Sequence, residues 1–225
     1  MTPGTTTRLP STWHARLSLI SLASLVLFAL LAWTVAHGQG PYAFERPIFG
    51  WLQAPSSTRA WNDVAEALGL PAIVAVVVIS IAFGIVKRTY VRVVAYAAIA
   101  ATAFLLSDYV AKLLVQRYYY GELSFPSGNV TAVSAIALAM WLALYPLFGN
   151  RLRAAVLILG TAWIGLMAVA VVGALWHTPI DDLGSVLLSG GIVCGGAVVY
   201  ERAASRVAPS SRRQLATPGS SLRRY

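Results

Sequence analysis

Six unbroken apolar runs, each of about twenty residues, dominate the chain: 17–36, 67–86, 93–111, 130–148, 154–176 and 183–200. A helix of that length spans the ~30 Å hydrocarbon core of a bilayer. The runs are continuous rather than alternating and too long for barrel strands, which argues against a β-barrel. Only the third carries a charge, Asp108, near its end. Of the 225 residues 58% are apolar and 11% charged, against about 25% charged in soluble domains. Such a chain is neither a soluble enzyme nor a disordered segment. The predicted fold class is all-α: a polytopic six-transmembrane-helix bundle with both termini cytoplasmic.

The orientation comes from Lys and Arg. With the N-terminus inside, 13 of the 17 basic residues are cytoplasmic, while Arg46, Arg59, Lys112 and Arg117 are outside. Seven of the eight acids lie outside or near the outer ends, leaving Glu201 inside. The first run exceeds a signal-peptide apolar region of roughly 7–15 residues and reads as a retained helix. The expected organisation is a cytoplasmic segment 1–16, a membrane domain 17–204 and a basic disordered tail 205–225. The tail arginines are expected to meet anionic inner-leaflet lipid. The net charge of +9 sits in that tail and at the ends of apolar runs. It forms no basic face with interleaved aromatics, so no nucleic-acid partner is expected.

Segment 38–66 is the longest outer connection and carries Tyr42, Phe44, Phe49, Trp51 and Trp61. It reads as an interfacial anchor, or as a cover over a groove that admits lipid. Gly191 and Gly195, flanked by Gly190 and Gly196, permit close helix packing, expected within the bundle rather than between copies. Nothing in the sequence sets the oligomeric state. Cys194 lies in an apolar run and reads as a small buried residue. Two lysines against fifteen arginines, with many alanines, accord with a GC-rich bacterial genome and a plasma (inner) membrane protein. Asn129-Val-Thr131 matches a glycosylation sequon but abuts a membrane helix, so the match is read as chance.

The residues that could carry chemistry collect in two outer loops. In the first, Pro126-Ser127-Gly128 precedes an apolar helix. Unpaired N–H groups and the positive dipole end at that helix start, with Lys112 and Arg117 nearby, make a plausible phosphate cradle. Ser127 as a simple N-cap in a tight turn is the plainer reading. In the second loop His177 and Asp181 bracket Thr178-Pro179. Thr178 as N-cap, Pro179 at the first helical position and Asp181 as the capping-box acid explain all but the histidine. An imidazole beside a carboxylate can be held in one tautomer as a nucleophile. One outer histidine among carboxylates is a poor metal site. No metal or cofactor is expected.

These pieces resemble the type-2 phosphatidic acid phosphatase superfamily, which includes the vanadium haloperoxidases. Its signature is K-x6-R-P, then P-S-G-H, then S-R-x5-H-x3-D, and the resemblance covers about 67–202. Lys112, Pro126-Ser127-Gly128, His177 and Asp181 fall on motif positions. The resemblance implies that His177 attacks phosphorus and forms a phosphohistidine, that Asp181 orients it, and that Lys112, Ser127 and Gly128 bind phosphate. It places Asn129 at the position of the histidine that protonates the leaving oxygen. Tyr119 and Tyr120 stand for the first motif's Arg-Pro, and Ala170-Val171 for the third motif's Ser-Arg. Arg117 is the candidate substitute for the first Arg. His37, Tyr118, Tyr119, Tyr120, Glu122 and Asp182 are the groups that could assist in place of the missing acid.

The function implied is removal of phosphate from a lipid phosphate monoester or diphosphate, such as a polyprenyl carrier, at the extracytoplasmic face. The alternative is a catalytically impaired relative that binds lipid phosphate or scaffolds membrane proteins. Loss of general-acid help costs about 10²–10⁴-fold, which gives that alternative its weight. A transporter or channel fits less well, because the spans carry so few charges and show no inverted repeat.

Overall fold

The computed structural model describes residues 9–52 and 57–207. Six helical spans are long and apolar enough to cross a membrane among these residues: Thr12–Val35, Ser57–Val86, Tyr90–Val115, Gly128–Leu147, Asn150–Gly173 and Pro179–Arg206. The chain is a multi-pass helical membrane protein. Arg8, expected in the cytoplasmic segment, and tail residues 208–225, whose arginines are expected to meet inner-leaflet lipid, fall outside the described residues.

The spans are built from α1 (Ser11–Val35), α3 (Ser57–Leu68) running into α4 (Leu70–Val86), α5 (Tyr90–Leu106), α7 (Gly128–Leu144), α8 (Asn150–Gly173) and α9 (Pro179–Val207). Two short helices, α2 (Arg46–Leu52) and α6 (Lys112–Val115), and a hairpin, β1 (Tyr118–Tyr119) with β2 (Glu122–Leu123), lie between them. The hairpin turns on Tyr120 and Gly121, both at positive φ (48° and 84°). That pair of left-handed residues matches the twist of a two-residue turn, and a glycine at the second position adopts it without strain.

α7 is the central helix, packed against α4, α5, α8 and α9. Its buried face is largely small: Thr131, Ser134, Ala135, Ala139 and Ala143. Such residues let helices approach closely where lipid supplies no hydrophobic force between them. The glycines of α9 work the same way. A Cβ at Gly191 would meet Leu25, one at Gly195 would meet Ser21, and one at Gly196 would meet Ile99. The glycine face therefore packs on α1 and α5 inside the bundle, as the sequence reading expected.

The second span begins ten residues before the apolar run at 67–86. Trp61, Val64, Ala65 and Leu68 recur at helical spacing and pack on Met167, Ala170 and Val171 of α8. Asp63 and Glu66 stay exposed. A one-sided stripe of this kind is invisible to a search for unbroken apolar residues. Much of the expected outer connection is thus helix.

At the end of the bundle away from the hairpin, buried Arg92 pairs with Glu201 at 2.6 Å. Its guanidinium also donates to the carbonyls of Leu142 and Ala143, two of the last carbonyls of α7. Those carbonyls have no partner within their own helix, so the arginine closes the helix end as well as the ion pair.

Candidate functional site

The two loops singled out in the sequence meet at the hairpin end of the bundle. The Ser127 N–H donates to the Asp181 carbonyl at 3.3 Å. The Ser185 hydroxyl donates to the Ser127 carbonyl at 2.8 Å, and Ser189 donates to the Thr131 carbonyl at 3.0 Å. These bonds lock the first turn of α7 beside the first three turns of α9.

Each loop folds locally as its capping residues dictate. Ser127 is the N-cap of α7, its Oγ accepting from the Val130 N–H at 3.4 Å. Thr178 precedes Pro179, the first residue of α9, and its N–H donates to Asp181 Oδ2 at 2.9 Å. This is the carboxylate half of a capping box, with proline at the position where a missing N–H costs nothing.

His177 is 8% exposed. Its Nδ1 donates to the Ser124 carbonyl at 3.0 Å, while Asp181 Oδ2 stands 4.0 Å away. A carbonyl can only accept, so Nδ1 carries the proton and Nε2 keeps its lone pair. The orienting hydrogen bond thus comes from Ser124, a partner that side-chain motifs do not reveal. Burial, reinforced by the positive charge of Lys112, lowers the His177 pKa from 6.5 to about 3. The ring is neutral at physiological pH. An unfolded chain would bind a proton near 6.5 that the folded one refuses, so this group's contribution to stability is lost as pH falls from about 6.5 toward 3. The pH profile of any His177-dependent activity is expected to lack an acid step at about 6.5; a step there that Lys112→Gln leaves in place would contradict this environment.

Asp181 serves α9 and Arg117. The Arg117 guanidinium, 1% exposed, donates to Asp181 Oδ1 at 2.5 Å, the Thr178 hydroxyl at 2.9 Å and the Gly40 carbonyl at 2.9 Å. It also lies 3.4 Å from Glu45, which is fully buried. Glu45 in turn accepts from the N–H groups of Ile180 and Tyr42 at 2.9 and 2.8 Å. Arg117, expected on phosphate, is therefore turned toward α9 and the segment before α2. No local signal in the sequence pointed to Glu45, which lies more than seventy residues from Arg117.

Lys112 makes an ion pair with Asp108 at 2.6 Å. Asp108 belongs to a π-helical turn, Ser107–Ala111, that interrupts the third span. Such turns recur at functional positions because they displace side chains from the regular helical register. The Asp108 carboxyl lies over the start of α7: a Cβ at Gly128 would come within 2.7 and 2.9 Å of its two oxygens. Only glycine permits that approach. The i,i+4 spacing of Asp108 and Lys112 was a readable signal for their pairing.

The motif departures are filled by packing. Val171 is fully buried among Ala65, Val130 and Val133. Tyr119 is buried against Phe49 and Val172, where burial and then neighbouring Tyr120 raise its phenol pKa. Tyr120 is exposed. Asn129 is half-buried on the first turn of α7. Asp182 is 5% exposed, and neither of its oxygens has a hydrogen-bond partner of good geometry. Among the described residues no group of three or more His, Cys, Asp or Glu is placed to share a metal ion. An open cleft of about 490 Å³ lies between α2, the segment before it and the hairpin, lined by Pro41, Arg46, Phe49, Tyr119 and Tyr120; His177 is not among its walls.

Gly184, one turn into α9, touches the ring of buried Phe125, and an added Cβ would lie 2.4 Å from it. Phe125 immediately precedes Pro126-Ser127-Gly128 and stacks on Phe28. Gly184→Ala is expected to destabilise the protein by about 1–3 kcal/mol through overpacking, read as a lower thermal midpoint in detergent. An unchanged midpoint would show that the ring has room to yield.

The fold is similar to that of the first transmembrane PAP2 type phosphatidylglycerolphosphate phosphatase from Bacillus subtilis, known from its crystal structure. The TM-score is 0.66 over 83% of this chain and 98% of that one, at 17% sequence identity. No family model and no curated protein matches the sequence.

Proposed function

We propose that the chain is a lipid-phosphate phosphatase, working through a phosphohistidine at the extracytoplasmic face of a bacterial inner membrane. The observation that carries this reading is His177: buried, neutral, its Nδ1 proton engaged, and its remaining nitrogen available as a nucleophile. Beside it stand an ion-paired lysine and a helix start built on Ser-Gly, the elements that hold a phosphate. The likeness of fold to a transmembrane lipid-phosphate phosphatase supports the same reading.

In the reaction, Nε2 of His177 attacks phosphorus. Lys112, the Ser127 hydroxyl and the backbone at Gly128 hold the phosphate oxygens. Asp181 acts through the start of α9 and through Arg117, positioning the turn from which His177 projects. The substrate is a membrane amphiphile bearing a phosphate or diphosphate, such as a polyprenyl carrier. No cofactor is needed, because the histidine is itself the phosphoryl acceptor.

The test is phosphate release by the full chain in detergent over lipid mono- and diphosphates, with a search during turnover for a protein-bound phosphoryl group that is acid-labile and alkali-stable. Both are expected. Binding of lipid phosphate without release would support a second reading, a binder or scaffold. Asn129 at the acid position favours that alternative.

A further inference from the structure

An alkyl oxygen leaves phosphorus easily only if it receives a proton. His177 cannot supply one, since in-line displacement places nucleophile and leaving oxygen on opposite sides of phosphorus. The amide of Asn129 holds no proton acidic enough. Asp181 is engaged on both oxygens by Thr178 and Arg117. Glu45 is fully buried and held by two backbone N–H groups. Asp182 is 5% exposed. Buried Tyr119 binds its proton too tightly. Tyr118, Tyr120 and Glu122 are exposed on the hairpin, and His37 is exposed beyond the end of α1.

Asp108 differs from all of these. It is the carboxyl that touches the Gly128 end of the cradle, its side chain is 26% exposed, and it shares Lys112 with whatever anion binds there. The start of α7, as it stands, is already occupied by a carboxylate in contact with the lysine that would bind phosphate. Of the elements packed closest to the π turn, α7 carries no ionisable side chain and α6 carries only Lys112. The ionisable groups of α5 (Tyr90, Arg92 and Tyr96) lie in its first two turns, away from the π turn that follows its C-terminus. From the α8–α9 loop, His177 is neutral.

Resting on the phosphatase reading above, we propose that Asp108 is the proton donor to the departing lipid oxygen and the proton acceptor from the attacking water. A phosphate monoester bound as its monoanion takes Lys112 from Asp108, and the proton it brings, shared with the freed carboxyl, removes the repulsion between the two anions. The His177 Nε2 lone pair then forms the N–P bond. The P–O bond to the lipid breaks, its electron pair goes to the lipid oxygen, and that oxygen takes the Asp108 proton to leave as the alcohol. Water next attacks phosphorus while the Asp108 carboxylate takes its proton. The N–P pair returns to Nε2, inorganic phosphate departs as the monoanion carrying that proton, and the Asp108 carboxylate returns to its ion pair with Lys112.

The test compares two substrates of the full chain in detergent: a short-chain dialkylglycerol phosphate, whose alkoxide needs a proton, and p-nitrophenyl phosphate, whose phenolate does not. Asp108→Asn is expected to lower kcat/KM for the alkyl ester by about 10²–10⁴-fold, and for the aryl ester by about tenfold or less. Asp108→Glu, which keeps a carboxyl, is expected to recover part of the alkyl activity. Inhibition by inorganic phosphate, retained in both variants, reports an intact cradle. Equal losses on both substrates, or no loss on either, would overturn the assignment while leaving the phosphatase reading in place. A wild-type chain that releases phosphate from no lipid mono- or diphosphate would overturn that reading, and the assignment with it.

Discussion

His177→Ala is expected to lower phosphate release by about 10⁴-fold or more, the scale seen when a covalent nucleophile is removed. The ring is held by the Ser124 carbonyl and its lone pair is free at neutral pH. No other histidine shares this cluster: among the described residues His14 lies in α1, near the far end, and His37 follows that helix. Inorganic phosphate should still inhibit or bind within about threefold of wild type, because Lys112, Ser127 and Gly128 are untouched. Turnover and phosphate binding measured on the same preparation separate the two effects. Retained turnover would remove His177 from the chemistry. Lost binding would make it part of the cradle instead of the nucleophile.

The second large effect concerns stability. Arg117→Met removes the one guanidinium that joins Asp181, Thr178, Glu45 and the Gly40 carbonyl. Removing one partner of a buried pair costs about 3–5 kcal/mol, because the other charge is left without compensation. Here two carboxylates are stranded, so the thermal midpoint in detergent should fall strongly. The double variant Arg117→Met/Asp181→Asn should be more stable than Arg117→Met alone, since the asparagine oxygen still accepts from the Thr178 N–H. Independent, additive losses would show that the arginine and aspartate do not act as a unit. Arg117 on bound phosphate predicts a different outcome: a large rise in KM with little change in midpoint.

Several parts of this molecule were legible before any coordinates. Six apolar runs of bilayer length leave few alternatives to helices, because an unpaired backbone group in hydrocarbon costs several kcal/mol. Ser127 before a helix, and Thr178-Pro179 with Asp181 behind, are local capping signals that work over three or four residues. The glycine face of α9 was readable for the same reason: close approach needs absent side chains.

What escaped the sequence depends on distance along the chain or on a broken pattern. The stripe of α3 is apolar on one side only, and its meaning appears when α8 lies against it. Glu45 reaches α9 across 135 residues, and Ser124 meets His177 through a backbone carbonyl that every residue possesses.

The sequence alone therefore determined that the chain spans a bilayer six times as helices, and which two loops carry candidate site residues, since both follow from short-range physics: hydrophobic length and helix capping. Only the tertiary structure decided who partners whom. Arg117 goes to Asp181 and Glu45, Lys112 goes to Asp108, and His177 is oriented by Ser124. A buried charge or donor takes the acceptor that packing brings within hydrogen-bond reach, and packing is settled by the whole bundle rather than by neighbours in sequence.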